Sequence, residues 1–177
     1  MFYALILDSN GNGIGSHAYV EEPSAYPANE APCTQAQAQN ATMYQVVNGQ
    51  IVESLTAAQD AQIALLKSGY QAAINAPVTF KNAAGVTSTY PSGNTILITG
   101  DKAKTLLAET IAAGASAWTL GKWLDTNDVA QTFTFADLQG LASAMEAAVT
   151  VDYETLVSKI AEVNAATTVS EAKSIVW

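Results

Sequence analysis

The sequence predicts an α+β fold, an N-terminal β-hairpin arm followed by a compact domain of antiparallel hairpins interleaved with helices. Three observations predict it. Short β-forming runs flank turn-rich stretches, most clearly at Asn48-Gly49. Apolar residues recur at helical spacing behind capping-box signals. The strands come in adjacent pairs and not as repeated βαβ units.

The arm, residues 1–53, opens on Phe2 to Leu7 (FYALIL), an apolar run that meets Asp8-Ser9-Asn10-Gly11-Asn12-Gly13, residues that tolerate positive φ. Ile14 to Val20 reads as the return strand. From Glu21 to Thr42 come Pro23, Pro27 and Pro32 and the alternation Gln35-Ala36-Gln37-Ala38-Gln39, with almost no large apolar side chain. That composition predicts an extended connector lying against something else. Met43 to Val52 then predicts a hairpin closed by a type I′ turn at Asn48-Gly49.

In residues 54–177, Thr56 followed by Gln59 has capping-box spacing, and Ile63, Leu66 and Tyr70 continue at helical intervals, so a helix is expected over 56–76, stopped by Pro77. Val78 to Phe80 and Val86 to Tyr90 predict a second hairpin. Thr95 to Thr99 predicts a strand ahead of the cap candidate Asp101, and a helix follows over 102–113, ending at Gly114. Residues 117–124 and 129–135 alternate as a third hairpin around Asp125 to Asp128. Three closing helices are expected over 135–148, 151–165 and 169–177, the last behind a Thr168 to Glu171 capping box, with Trp177 as a core plug that ties down the terminus.

The chain has 177 residues, 49% hydrophobic and 13% charged, and 33 are alanine, so helices should be plentiful and closely packed. Its net charge of −9 is unevenly built. All seven basic residues are lysines and none precedes Lys67, so residues 1–53 carry five acids and no base. A nucleic-acid surface needs clustered Lys and Arg, which excludes that class of partner. No apolar run is long enough to span a membrane and the start carries no basic leader, so a soluble protein without a visible export signal is expected. A single cysteine, Cys33, cannot form an internal disulfide and fits a reducing compartment.

Chemistry-bearing motifs are few. Asp8, Asn10, Asn12 and Gly13 match positions 1, 3, 5 and 6 of a calcium loop, but Tyr19 stands at position 12 where a bidentate Glu belongs, so these residues are only a weak metal candidate beside the reading as a hairpin turn. Asp125 to Asp128 fails the same test with Ala130 and Ala136. Gly11, Gly13 and Gly15 form GxGxG with no helix behind it, not a dinucleotide loop. His17 beside Ser16 is the sole histidine, and with Cys33 alone it supplies neither a nucleophile framework nor a zinc set. Glu109, Glu146, Glu154 and Glu162 fall on polar helix faces, where solvated surface is the default. No catalytic residue, metal or cofactor is expected. Trp118 and Trp123, five apart, would face opposite sides of one strand, which makes either an anchor candidate for protein or sugar and both, more simply, core.

The helix end from Lys67 to Pro77 with Val78-Thr79-Phe80 behind it, Ala84-Gly85-Val86-Thr87, the run Phe133-Thr134-Phe135-Ala136-Asp137-Leu138-Gln139-Gly140-Leu141-Ala142, and the close from Ala165-Ala166-Thr167-Thr168-Val169 to Ile175-Val176-Trp177 resemble a C-terminal domain of unknown function found in bacteriophage and prophage tail proteins, often encoded beside tail-fibre genes. Tyr44 to Val52 is similar to the small β modules that precede such domains. The resemblance implies a structural component of the virion tail, at the fibre or baseplate, made in the host cytoplasm, with other tail proteins as partners and oligomerisation within the tail. It brings no active-site residues. A tail-fibre assembly chaperone is the alternative, and a small carbohydrate-binding or carbohydrate-active module a third. The arm, with Tyr26, Pro27, Pro32, Gln35 and Gln37, and the pair Trp118 and Trp123 are the partner-binding candidates. The acidity of the arm leads to an expected partner rimmed with basic residues and to assembly that weakens as salt rises.

Overall fold

The computed structural model describes every residue except 94, 95 and 98–101. In chain order it contains β1 (Phe2–Leu7), β2 (Gly13–Tyr19), β3 (Glu30–Cys33), α1 (Gln35–Gln39), a 3₁₀ turn (Ala41–Met43), β4 (Tyr44–Val47), β5 (Gln50–Glu53), α2 (Leu55–Ala73), β6 (Val78–Lys81), β7 (Thr87–Tyr90), α3 (Ala103–Ala113), a second 3₁₀ turn (Ala115–Ala117), β8 (Lys122–Leu124), β9 (Ala130–Thr132), α4 (Phe135–Ala165) and α5 (Val169–Ser174). Helices occur with strands that pair only antiparallel among the described residues, which is the α+β class. The residues form two units, Met1–Leu66 with Lys159–Trp177, and Lys67–Ser158. This grouping differs from an arm of 1–53 and a domain of 54–177, because the chain's end joins its beginning. Lys173 pairs with Glu53, Gln62 Nε2 donates to the Ile175 carbonyl at 2.7 Å, and Gln59 Nε2 donates to the Val163 and Ala166 carbonyls at 3.0 and 3.3 Å.

In the first unit β1 is central in an antiparallel sheet of order β2-β1-β3, with Ala4 opposite both His17 and Pro32, and Ala4 and Leu5 are fully buried. The register shifts between Ile6, opposite Gly15, and Leu7, opposite Gly13, so Ile14 is an extra residue, a β-bulge. A Cβ on Gly13 would lie 2.1 Å from the Ala41 carbonyl oxygen, so only glycine admits this approach. The stretch expected as an extended connector is instead partly ordered into β3, α1 and a 3₁₀ turn. Its signal is a capping box: Gln37 N–H donates to Thr34 Oγ1, and the Gln37 side chain accepts from Thr34 N–H. The type I′ hairpin β4-β5 forms as expected, with Asn48 and Gly49 at φ 52° and 77°.

Helix α2 begins behind Ser54, whose carbonyl and Oγ accept from Ala58 and Ala57 N–H, so Thr56 lies inside the helix and Gln59 is released to reach α4. The expected break near residue 150 is absent: α4 runs 31 residues without interruption. Thr150 and Thr155 turn their hydroxyls back onto the Glu146 and Val151 carbonyls, which a helix accommodates at small cost. Trp177 is not a core plug; it is 40% exposed, and Val176 is 61% exposed.

The second unit holds the hairpins β6-β7 and β8-β9 and helix α3, which ends at Gly114 with φ 87°. Its core is Tyr90, Leu107, Trp123, Phe133, Leu138, Leu141 and Met145. Phe80 packs edge-on to Tyr90, and Tyr90 edge-on to Phe133 at 5.2 Å, the geometry that aligns ring edges with ring faces. The strand expected over 95–99 and the cap Asp101 fall largely outside the described residues; Lys102 occupies the N-cap of α3.

Candidate functional site

Three hairpin loops share one construction, and it accounts for the calcium-like spacing. Asp8, Asn82 and Asp125 each donate their N–H to the carbonyl four residues on, at 2.9, 3.0 and 3.1 Å. Each accepts the N–H of the third residue on at its carbonyl, and the N–H of the fourth at its side-chain Oδ1. The third residue on is left-handed every time: Gly11 at φ 81°, Gly85 at 83° and Asp128 at 60°. This is a turn followed by a left-handed residue, with an Asx side chain holding the loop from inside. Asp8 also accepts from Asn10 N–H at 2.8 Å and Asn12 Nδ2 at 2.9 Å. The weak metal candidates Asp8, Asn10 and Asn12 are thereby brought together as a carboxylate ringed by donors. The Asn12 amide leads the set of donors that lower the Asp8 pKa. Among the described residues no cluster of three or more His, Cys, Asp or Glu is placed to hold a metal.

In the second unit the same device is buried. Burial alone would push Asp125 up, but Ser88 Oγ and Gln131 Nε2 on Oδ2, with the Val129 and Asn127 N–H groups on Oδ1, hold it down at about 2. Asp137, in the first turn of α4, also overcomes its burial: Thr134 Oγ1 and N–H and Ala83 N–H, all at 2.7 Å, lower its pKa. Asn82 Nδ2 donates to the Thr132 carbonyl at 3.0 Å. These buried polar side chains tie both hairpins to the start of α4, and each carries its partners.

On one face of the first unit's sheet, Glu30 accepts from Tyr19 OH and lies 3.3 Å from His17 Nδ1, with its side chain only 8% exposed. The hydrogen bond to Glu30, followed by burial, pushes the Tyr19 phenol up to about 12. Tyr26 stands edge-on to Tyr19 at 5.8 Å, so this arm candidate serves the sheet's own packing. Gln37 is spent in the α1 cap; Gln35, Pro27 and Pro32 are exposed, and the Pro27 carbonyl accepts from Glu30 N–H. Cys33 is half-buried in β3, and burial pushes its thiol up.

Trp118 lies outside β8, so the two tryptophans do not face opposite ways: their rings meet at 6.2 Å. Trp123 is buried and Trp118 half-buried, its indole N–H donating to the Phe133 carbonyl at 3.0 Å. They wall an apolar pocket of about 260 Å³ with Leu106, Leu120 and Leu124. No family model, curated protein or solved structure matches the chain. Its functional reading therefore rests on its own residues. Sequence reasoning missed the tethers of Asp137 and Asn82 and the pairing of Glu30 with Tyr19. The Asx-x-x-Gly spacing at Asn82 to Gly85 was the available signal for the Asn82 loop; nothing local announces the strand partners of Glu30.

Proposed function

We propose that this chain is a non-enzymatic structural component of a bacteriophage tail, at the fibre or baseplate, acting through protein–protein attachment. The observation that carries the reading is the use made of buried polar groups: Asp125, Asp137, Asn82 and Gln62 each hold a loop, a helix start or the chain's end. Side chains committed in this way stabilise a scaffold and are not poised for proton or group transfer. The resemblance of residues 55–177 to tail-associated domains supplies the context. The tryptophan rings meet at 6.2 Å and the Trp118 indole N–H is bonded to the Phe133 carbonyl, which favours a packing role for the pair over a platform for sugar.

Mass spectrometry of purified particles tests the proposal. Stoichiometric copies in the tail are expected. Co-purification with unassembled fibre chains and absence from particles would instead make the protein an assembly chaperone. The basic-rimmed partner becomes a weaker expectation, since Asp8, Glu30 and Glu53 are engaged internally and Glu21 and Glu22 are what the arm presents.

A further inference from the structure

The two edges of the first unit's sheet are not equivalent. Leu7 N–H donates to the Asn29 carbonyl at 2.8 Å, in register with Leu5 opposite Ala31 and Tyr3 opposite Cys33, so these β1 residues bond towards β3. Ala4 and Ile6 therefore bond towards β2, to His17 and Gly15. By the same alternation the outer edge of β3 carries Glu30 and Pro32. Glu30 N–H is taken by the Pro27 carbonyl, and proline has no N–H, so that edge is closed. On β2 the outward groups belong to Ser16 and Ala18, which make no other backbone bond among the described residues. Both residues are exposed. Upstream, Asn12 bridges to Gln45, so β4 covers the start of this edge and leaves Gly15 to Tyr19 open.

We propose that the open edge of β2 is the seam of a two-fold homodimer. Ser16 of one copy pairs antiparallel with Ala18 of the other, and Gly15 lies across from Tyr19. A second copy is the occupant we assign: with the β3 edge closed, self-pairing can only be β2 with β2, which ends at two copies and cannot grow into a fibre. Charge agrees: β2 contains no Asp, Glu, Lys or Arg, so two chains of net charge −9 meet where neither carries a formal charge. Exposed Ile14 and Val20 flank the seam and add apolar area. A seam of this length is below the size of a standard interface, so the dimer is expected in the micromolar-to-millimolar range, on the order of 10–1000 µM.

Sedimentation equilibrium of the full chain over that range tests the proposal. A monomer–dimer equilibrium is expected. Ala18→Pro, which removes an outward N–H and leaves the β1 ladder intact, and Ala18→Lys, which sets like charges across the seam, should each weaken it by about tenfold or more. Amide exchange on the unmodified chain supplies an independent readout: the Ser16 and Ala18 N–H groups should become protected as concentration rises. A strictly monomeric chain overturns the proposal. So does a dimer indifferent to both substitutions with those amides still exchanging freely, or protection that arises only when a different protein is added.

Discussion

The second unit buries Tyr90, Trp123, Phe133, Leu107, Leu138, Leu141, Met145 and Leu156, whereas the first buries Ala4, Ala38, Ala41, Ala58 and Ala172 around Leu5, Leu66 and Val163. A buried alanine removes about one methyl group from water, worth roughly 0.8 kcal/mol, against about 1.5–3 kcal/mol for a large apolar side chain. The first unit compensates by close backbone approach at Gly13 and by side chains that cross between segments: Gln59, Gln62 and the pair Glu53 and Lys173. Apolar composition alone is thus a poor guide to core strength, since alanine adds to the hydrophobic percentage without adding bulk.

The sharpest way to break this comparison is to remove bulk from each core. Phe133→Ala should destabilise the second unit by about 3–5 kcal/mol, because Phe80 and Tyr90 would border the cavity. Ala58→Gly in the first unit removes one buried methyl and should cost about 2 kcal/mol, about half of it helix propensity. Urea titration followed by Trp fluorescence for the second unit and by amide exchange at β1 for the first checks both. Equal losses would mean that the two cores are not different in kind.

The shared loop gives a second test. Asp125→Ala strands Ser88, Gln131 and two backbone N–H groups in a buried site and should cost about 2–4 kcal/mol. Asp8→Ala removes the matching bonds from the Asn10 and Asn12 N–H groups, with that from Asn12 Nδ2, where water replaces them, so its loss should be clearly smaller.

How much of this was legible in the sequence follows the same physics. Asn48-Gly49 and the capping box at Thr168 dictate their own backbone within four residues, and both stand where expected. Residues 35–39 misled because alternating Gln and Ala mimics a connector: alanine is as comfortable exposed as buried, so an alanine helix has no amphipathic stripe to read. The expected gap between 148 and 151 does not form, because Val149 and Thr150 are β-branched and β-branching lowers helix propensity by only a few tenths of a kcal/mol. Asp8 and Asp125 were readable as turns, but their difference in burial depends on strands distant in sequence, as does the open edge of β2.

Acid should separate the units next. Asp125, at about 2, and Asp137 have folded pKa values below their unfolded ones, so their stabilisation is full above about pH 4 and is lost as pH falls through the folded values. Asp8 and Glu171 act in the same direction in the first unit, but as exposed groups screened by water. Stability should therefore decline between about pH 4 and pH 2, more steeply for the second unit, and Asp137→Asn should flatten that slope. A slope unchanged by the substitution would assign the acid response to other carboxylates.

The smallest effect distinguishes two ways of being buried within the second unit itself. Tyr90 is fully buried and its hydroxyl has no hydrogen-bond partner among the described residues, unlike the neighbouring Asp125 and Asp137. Burial pushes its phenol up, with the two carboxylates adding to the effect. An unpartnered buried hydroxyl costs about 1–3 kcal/mol of desolvation, partly recovered through ring packing, so Tyr90→Phe should leave stability unchanged or raise it by up to about 1 kcal/mol. Phe80 and Phe133 would keep their edge contacts, because the ring stays in place. A loss greater than about 1 kcal/mol in urea titration would show that the hydroxyl is hydrogen-bonded in solution. The second unit's core would then carry a polar link through its centre, and its contrast with the first unit would lie in bulk alone.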